Sequence, residues 1–167
     1  MIVVLAGVSG VGKTTVGKIL AQRLGWEFLD ADDLHSASNI EKMRSGKPLT
    51  DEDRLEWLAA VRQVIAEFIE KDEHALIACS ALRRSYRKMI SVDKRVLIFI
   101  LSADIETVRR RIESRSEHFM PVGLLESQFE TLEIGSSERV IDASPELGEK
   151  VVAIEAELAR RTGNKEL

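Results

Sequence analysis

Apolar residues follow two alternating rhythms along this chain. Short uninterrupted runs, Ile2-Val3-Val4-Leu5-Ala6, Phe28-Leu29, Ala75-Leu76-Ile77-Ala78-Cys79, Val96-Leu97-Ile98-Phe99-Ile100-Leu101 and Val140-Ile141, read as short strands, the longer ones buried on both faces. Between them, apolar positions recur every three or four residues. Val16, Ile19, Leu20 and Leu24 mark a helix over 14–24, which Gly25 stops. Ile40 and Met43 are the apolar contacts of a short polar helix over 33–44, broken by Ser45-Gly46-Lys47-Pro48. Thr50 and Asp53 form a capping box for the next helix. Its residues Leu55, Leu58, Val61, Ile65, Phe68 and Ile69 share one core-facing side. Further helices are expected after Cys79 and over 104–115, 124–132 and 145–161. Strands alternating with helices imply an α/β fold whose parallel sheet is covered on both faces.

The 167 residues suit a single domain, 1–167, and only 161–167 reads as a loose tail. With 44% hydrophobic and 31% charged residues, composition is that of a soluble globular protein. A net charge of −4 gives no reason to expect nucleic acid or an anionic membrane as partner. No apolar run approaches the roughly 20 residues of a membrane span, and the N-terminal strand lacks the basic leader of a signal peptide. The lone Cys79 rules out an internal disulfide, and the expected location is cytoplasmic.

The chemistry starts where the first strand ends. Gly7-Val8-Ser9-Gly10-Val11-Gly12-Lys13-Thr14 is one copy of G-x-x-x-x-G-K-[ST], set between a strand and a helix. Glycines let backbone N–H groups approach phosphate oxygens, and the helix adds its unpaired amides and positive dipole end. Lys13 supplies a point charge for the β- and γ-phosphates, and the Thr14 hydroxyl is placed for Mg²⁺. Thr15 extends the nucleotide-binding stretch. These residues imply a nucleoside triphosphate and Mg²⁺ without saying what receives the phosphate.

Asp30 and Asp32 follow the second strand, at the sheet edge where open α/β proteins carry their sites. One carboxylate there can hold the water shell of Mg²⁺, and another can orient or deprotonate an attacking hydroxyl. Strand periodicity places both on one side of the chain. Arg83 and Arg87, four apart on one helical face, suit bidentate capture of a carboxylate or phosphate. Arg111 and Arg115, also four apart, precede a loop and can neutralise charge on a transferred phosphoryl group. No histidine pair has metal-ligand spacing, which argues against zinc. A solvated surface role is the competing explanation for each of these charged groups.

Phe28-Leu29-Asp30-Ala31-Asp32-Asp33-Leu34-His35, Asn39-Ile40-Glu41-Lys42-Met43, Gly46-Lys47-Pro48-Leu49-Thr50-Asp51-Glu52-Asp53-Arg54 and Cys79-Ser80-Ala81-Leu82-Arg83-Arg84-Ser85-Tyr86-Arg87 together are far more selective than the phosphate loop. With them the chain resembles the gluconate kinases, small P-loop kinases related in fold to shikimate and adenylate kinases. Leu124 to Glu133, including Gln128, agrees with that pattern. The resemblance implies a P-loop kinase three-layer α/β/α sandwich with strand order 2-3-1-4-5, and a homodimer. It implies a substrate lobe over about 33–56 and a lid over about 113–123. The implied reaction is ATP-dependent phosphorylation of D-gluconate to 6-phospho-D-gluconate, which feeds the pentose phosphate pathway. Asp30 with Thr14 would serve the metal, and Asp32 the acceptor hydroxyl. Arg54, Arg83 and Arg87 would hold the substrate, with Arg111 and Arg115 acting from the lid. His35, Lys42 and Gln128 match the family's substrate-site motifs.

Two alternatives remain at this point. A shikimate kinase is expected to carry a glycine run after the third strand, where this chain has Cys79-Ser80-Ala81-Leu82-Arg83. A nucleotide-dependent switch would need partner-coupled hydrolysis, and no Asn/Thr-Lys-x-Asp guanine signature is present.

Overall fold

The computed structural model describes residues 1–114 and 123–162. Its strands are β1 (Ile2–Ala6), β2 (Glu27–Asp30), β3 (Ala75–Ala78), β4 (Val96–Ser102) and β5 (Arg139–Asp142). They form one parallel sheet in the order β2-β3-β1-β4-β5, as the resemblance implies. The helices are α1 (Lys13–Leu24), α2 (Ala37–Arg44), α3 (Asp51–Glu70), α4 (Arg84–Ile90), α5 (Ile105–Glu113), α6 (Gly123–Thr131) and α7 (Leu147–Thr162).

Alternation along the central strands splits the core in two. Val3, Leu5, Leu76, Phe99 and Leu101 pack against α1, α5, α6 and α7. Ile2, Val4, Ile77, Cys79 and Ile100 pack against α3 and α4. Every residue of β1 is buried, which is why that strand carries no polar alternation. All strand C-termini therefore point to one edge, where the phosphate loop and the ends of β2 and β3 meet.

Two local expectations change. The helix expected over 33–44 divides. Ala31–Leu34 is a 3₁₀ turn capped by the Asp30 carboxylate, and α2 starts afresh after Ser36. Ser36 is extended and accepts from the Asn39 amide, so it is an N-cap and not a helix interior. On α3 the buried stripe runs through Trp57, Leu58, Val61 and Ile65, while Leu55 is 52% exposed. The lid expected over 113–123 falls largely on 115–122, and this stretch and Arg115 lie outside the described residues.

The capping box at α3 forms as expected: the Thr50 hydroxyl accepts from the Asp53 amide, and the Asp53 carboxylate accepts from the Thr50 amide. Lys42 adds a salt bridge to the same carboxylate. The Lys42 hydrogen bond, followed by that of the Thr50 backbone, holds Asp53 down to about 2. Its stabilising effect is present above the ordinary carboxylate value of about 3.9 and is lost as pH falls through about 2. Thr50→Ala is expected to destabilise the protein by roughly 1 kcal/mol, read by urea denaturation.

Candidate active site

The phosphate loop takes its shape from close approach. Gly7 has φ 133°, and a Cβ there would lie 2.4 Å from the Leu101 carbonyl oxygen. Only glycine lets the chain pass β4 so tightly. Gly12, also left-handed, opens α1 without a side-chain cap, leaving the first helical amides available to an anion. The Lys13 ammonium donates to the Val8 carbonyl at 3.0 Å. Burial lowers its pKa, an effect opposed by Asp32 and Asp30.

Asp30 joins this loop to β2. Its Oδ2 accepts from the Thr14 hydroxyl at 2.7 Å, and its Oδ1 accepts from the Asp32 amide at 3.2 Å. A hydroxyl beside a carboxylate is the hard-oxygen pair suited to Mg²⁺, which keeps several waters and takes few protein ligands. Among the described residues there is no cluster of three or more potential metal-binding His, Cys, Asp or Glu, so the donor set fits a metal carried largely by phosphates. Asp32 stands in a 3₁₀ turn, so strand periodicity does not relate it to Asp30; the amide–carboxylate bond does. Burial raises the Asp32 pKa, and the nearby Lys13 charge partly offsets that rise.

Lys13, Asp32, His35, Arg54 and Gln128 line one cavity of about 130 Å³. Engineered cavities of about 150 Å³ admit a benzene-sized molecule, so this volume fits a small acceptor. Its walls also include the phosphate-loop Ser9, together with Trp57, Ser80 and Leu82, which sequence reasoning did not place in the site. Gln128 Oε1 accepts from the Ser9 amide at 2.7 Å, tying α6 to the phosphate loop. Trp57 is 2% exposed, and its indole N–H donates to the Ala31 carbonyl at 2.7 Å. Its helical spacing signalled a core residue, but nothing in the sequence signalled the contact with His35 across the cavity wall.

Beside the cavity, Asp51 gathers cations. Arg83 reaches it at 2.6 Å and Arg54 at 3.9 Å, while the Tyr86 hydroxyl donates to its other carboxylate oxygen. Both guanidinium groups lie 5.9 Å from the Tyr86 ring centroid. Sequence reasoning missed Asp51 and Tyr86, although both sit within the motifs that carry the resemblance.

Arg87 is not part of this group. Arg83 is the extended N-cap of α4, so the two arginines do not share a helical face. Arg87 is 4% exposed; it donates to the carbonyls of Ala81 and Leu82 at 2.7 Å, to that of Glu133, and to the Glu138 carboxylate. Ala81, which it braces, has φ 34°, a left-handed conformation in the segment where a glycine run would mark a shikimate kinase. Lys42 likewise faces Asp53 and does not line the cavity.

The phosphate loop borders a second cleft of about 310 Å³ through Val11, Gly12 and Thr15. Arg111, Ser144 and Lys150 complete its wall. Arg111 Nη2 donates to the Ser144 carbonyl at 3.1 Å, and its Nη1 is buried without a partner among the described residues. Arg111 is thus brought to the α1 side of the loop, apart from the acceptor cavity.

The chain is similar to known small-molecule kinases in sequence and in fold. A shikimate kinase family model matches residues 9–140. The chain is 44% identical over 151 residues to a gluconokinase from Gluconobacter oxydans (strain 621H), covering 89% of this chain and 85% of that protein. A gluconokinase from Sinorhizobium meliloti 1021 superposes with a TM-score of 0.84 at 36% identity, covering 96% of this chain and 94% of the other. An unliganded sugar kinase from Janibacter sp. HTCC2649 gives 0.89 at 37%, covering 94% and 93%.

Proposed function

The chain belongs to the gluconokinase family, and on that premise we propose that it transfers the γ-phosphoryl group of ATP to the 6-hydroxyl of D-gluconate. The products are 6-phospho-D-gluconate and ADP. The observation that supports this reading is that Lys13, Asp32 and Arg54 line one cavity of about 130 Å³.

Phosphoryl transfer depends mainly on positioning and charge neutralisation. The α1 amides and Lys13 hold the nucleotide phosphates; Thr14 and Asp30 would hold Mg²⁺, which would supply neutralising positive charge. Asp32 orients the acceptor hydroxyl and takes its proton as the new P–O bond forms and the bond to the bridging oxygen of ADP breaks. Arg54 and Arg83 draw the acceptor carboxylate, competing with Asp51 for the same guanidinium groups. Arg111 serves the nucleotide from the second cleft, and Arg115 acts on phosphate charge from the lid. His35, Lys42 and Gln128 complete the acceptor site, with Lys42 acting through its clamp on Asp53. Arg87 supports the acceptor site by holding the Ala81–Leu82 turn.

The test is ADP release with Mg-ATP and a panel of D-gluconate, shikimate, other aldonic acids, glycerate, AMP and no acceptor. Strong stimulation by D-gluconate is expected. Stimulation by shikimate alone, or release independent of every acceptor, would overturn the assignment. A homodimer in the cytoplasm, with no nucleic-acid or membrane partner, completes the proposal. The resemblance to the gluconate kinases supports the dimer, and a net charge of −4 gives no reason to expect nucleic acid or an anionic membrane. Sedimentation velocity tests the dimer.

A further inference from the structure

His35 presents an unusual polar surface to the acceptor cavity. Its ring lies flat on Trp57, with centroids 4.5 Å apart and planes 12° from parallel. Trp57 is itself fixed by its bond to the Ala31 carbonyl, and the His35 amide donates to the Asp32 carbonyl at 3.3 Å. The ring therefore has little freedom to turn. His35 Nδ1 is buried and has no hydrogen-bond partner among the described residues. The polar atom that this cavity-lining ring can offer a ligand is then Nε2, which makes no hydrogen bond to a described residue.

The protonation state follows from the surroundings. Burial, reinforced by the Arg54 charge, pushes the imidazole pKa down to about 4, so the ring is neutral at physiological pH. A buried N–H without an acceptor is rarer than a buried lone pair without a donor, which assigns the single proton to Nε2. A neutral N–H donor suits a neutral oxygen. The acceptor's carboxylate is claimed more strongly by Arg54 in the same wall, since charge-assisted bonds are roughly twice as strong. What remains for His35 is a hydroxyl on the acceptor's chain.

We propose that His35 is a specificity-determining residue: held on Trp57, it donates from Nε2 to one hydroxyl oxygen of the polyol chain and so selects acids that carry that hydroxyl. This rests on the gluconate kinase reading above. It assigns His35 a binding role distinct from that of Asp32, which meets the reacting hydroxyl.

The experiment compares kcat/KM of the full chain for D-gluconate and for its 2-, 3-, 4- and 5-deoxy derivatives, in wild type and His35→Phe. Phenylalanine keeps the stack on Trp57 and removes both nitrogens. Wild type is expected to disfavour one deoxy acid by roughly 10- to 100-fold, the cost of an unmade hydrogen bond. His35→Phe should lose that one preference, keep the others, and leave the KM for ATP unchanged. His35→Leu gives the same comparison where the larger ring disturbs folding, judged by thermal denaturation. If the variants retain every preference of wild type, or lose activity equally on all the acids, the inference is overturned. Wild type that ignores D-gluconate but uses another acid overturns the functional reading instead, and His35 is then judged on the deoxy forms of that acid. Wild type with no acceptor-dependent turnover overturns both.

Discussion

Asp32→Asn is expected to lower kcat by roughly 10²–10⁴-fold while leaving the KM for ATP near its wild-type value. The asparagine keeps the size of the side chain and its place in the cavity beside Lys13. It removes the carboxylate proposed to accept the acceptor's proton. On the proposed reading the phosphates and metal are held by the α1 amides, Lys13, Thr14 and Asp30, none of which hydrogen-bonds to the Asp32 carboxylate. The Asp32 backbone amide, which does bond to Asp30, is unchanged by the substitution. The melting temperature should not fall, because Asp32 is exposed and its carboxylate makes no hydrogen bond to a described residue. Steady-state ADP release and thermal denaturation together check this. An unaltered kcat would remove Asp32 from the chemistry, whereas a fall in both kcat and melting temperature would make its role structural.

Arg87→Ala is expected to destabilise the fold by about 3–5 kcal/mol, the effect of breaking a buried ion pair from one side. In a domain of this size that corresponds to a melting temperature lower by roughly 10 °C. The guanidinium joins three backbone carbonyls and Glu138, so its loss leaves several acceptors unpaired at once. Lysine should rescue little, because a single ammonium cannot reproduce the planar fork. Denaturation of both variants checks the magnitude. A raised acceptor KM with no fall in melting temperature would instead place Arg87 in direct contact with substrate.

The difference between these two residues shows where sequence reasoning holds. The phosphate loop was legible because its chemistry is contiguous, with loop, lysine and hydroxyl in eight successive residues between a strand and a helix. The sheet was legible because the buried strands carry unbroken apolar runs. Arg83 and Arg87 misled because their shared face depended on a helix already formed at Arg83, whereas α4 begins at Arg84. The positive φ at Ala81 was invisible, since no glycine marks it and the arginine that braces its carbonyl lies six residues on. The split of 33–44 turned on Ser36 acting as a cap, a role that an otherwise polar helix pattern conceals. The stacking of His35 on Trp57 joins residues 22 positions apart across two elements, and no local pattern encodes it.

The bond between Gln128 and the Ser9 amide has a thermodynamic consequence. One side chain on α6 engages the phosphate loop and at the same time forms part of the acceptor wall. A ligand that draws Gln128 toward or away from Ser9 changes the free energy of filling the other site. Linkage makes that effect reciprocal: the factor by which nucleotide alters acceptor affinity must equal the factor by which acceptor alters nucleotide affinity. On the proposed reading this contact would couple the two substrates, and the order in which they bind could differ in rate without differing in the final balance.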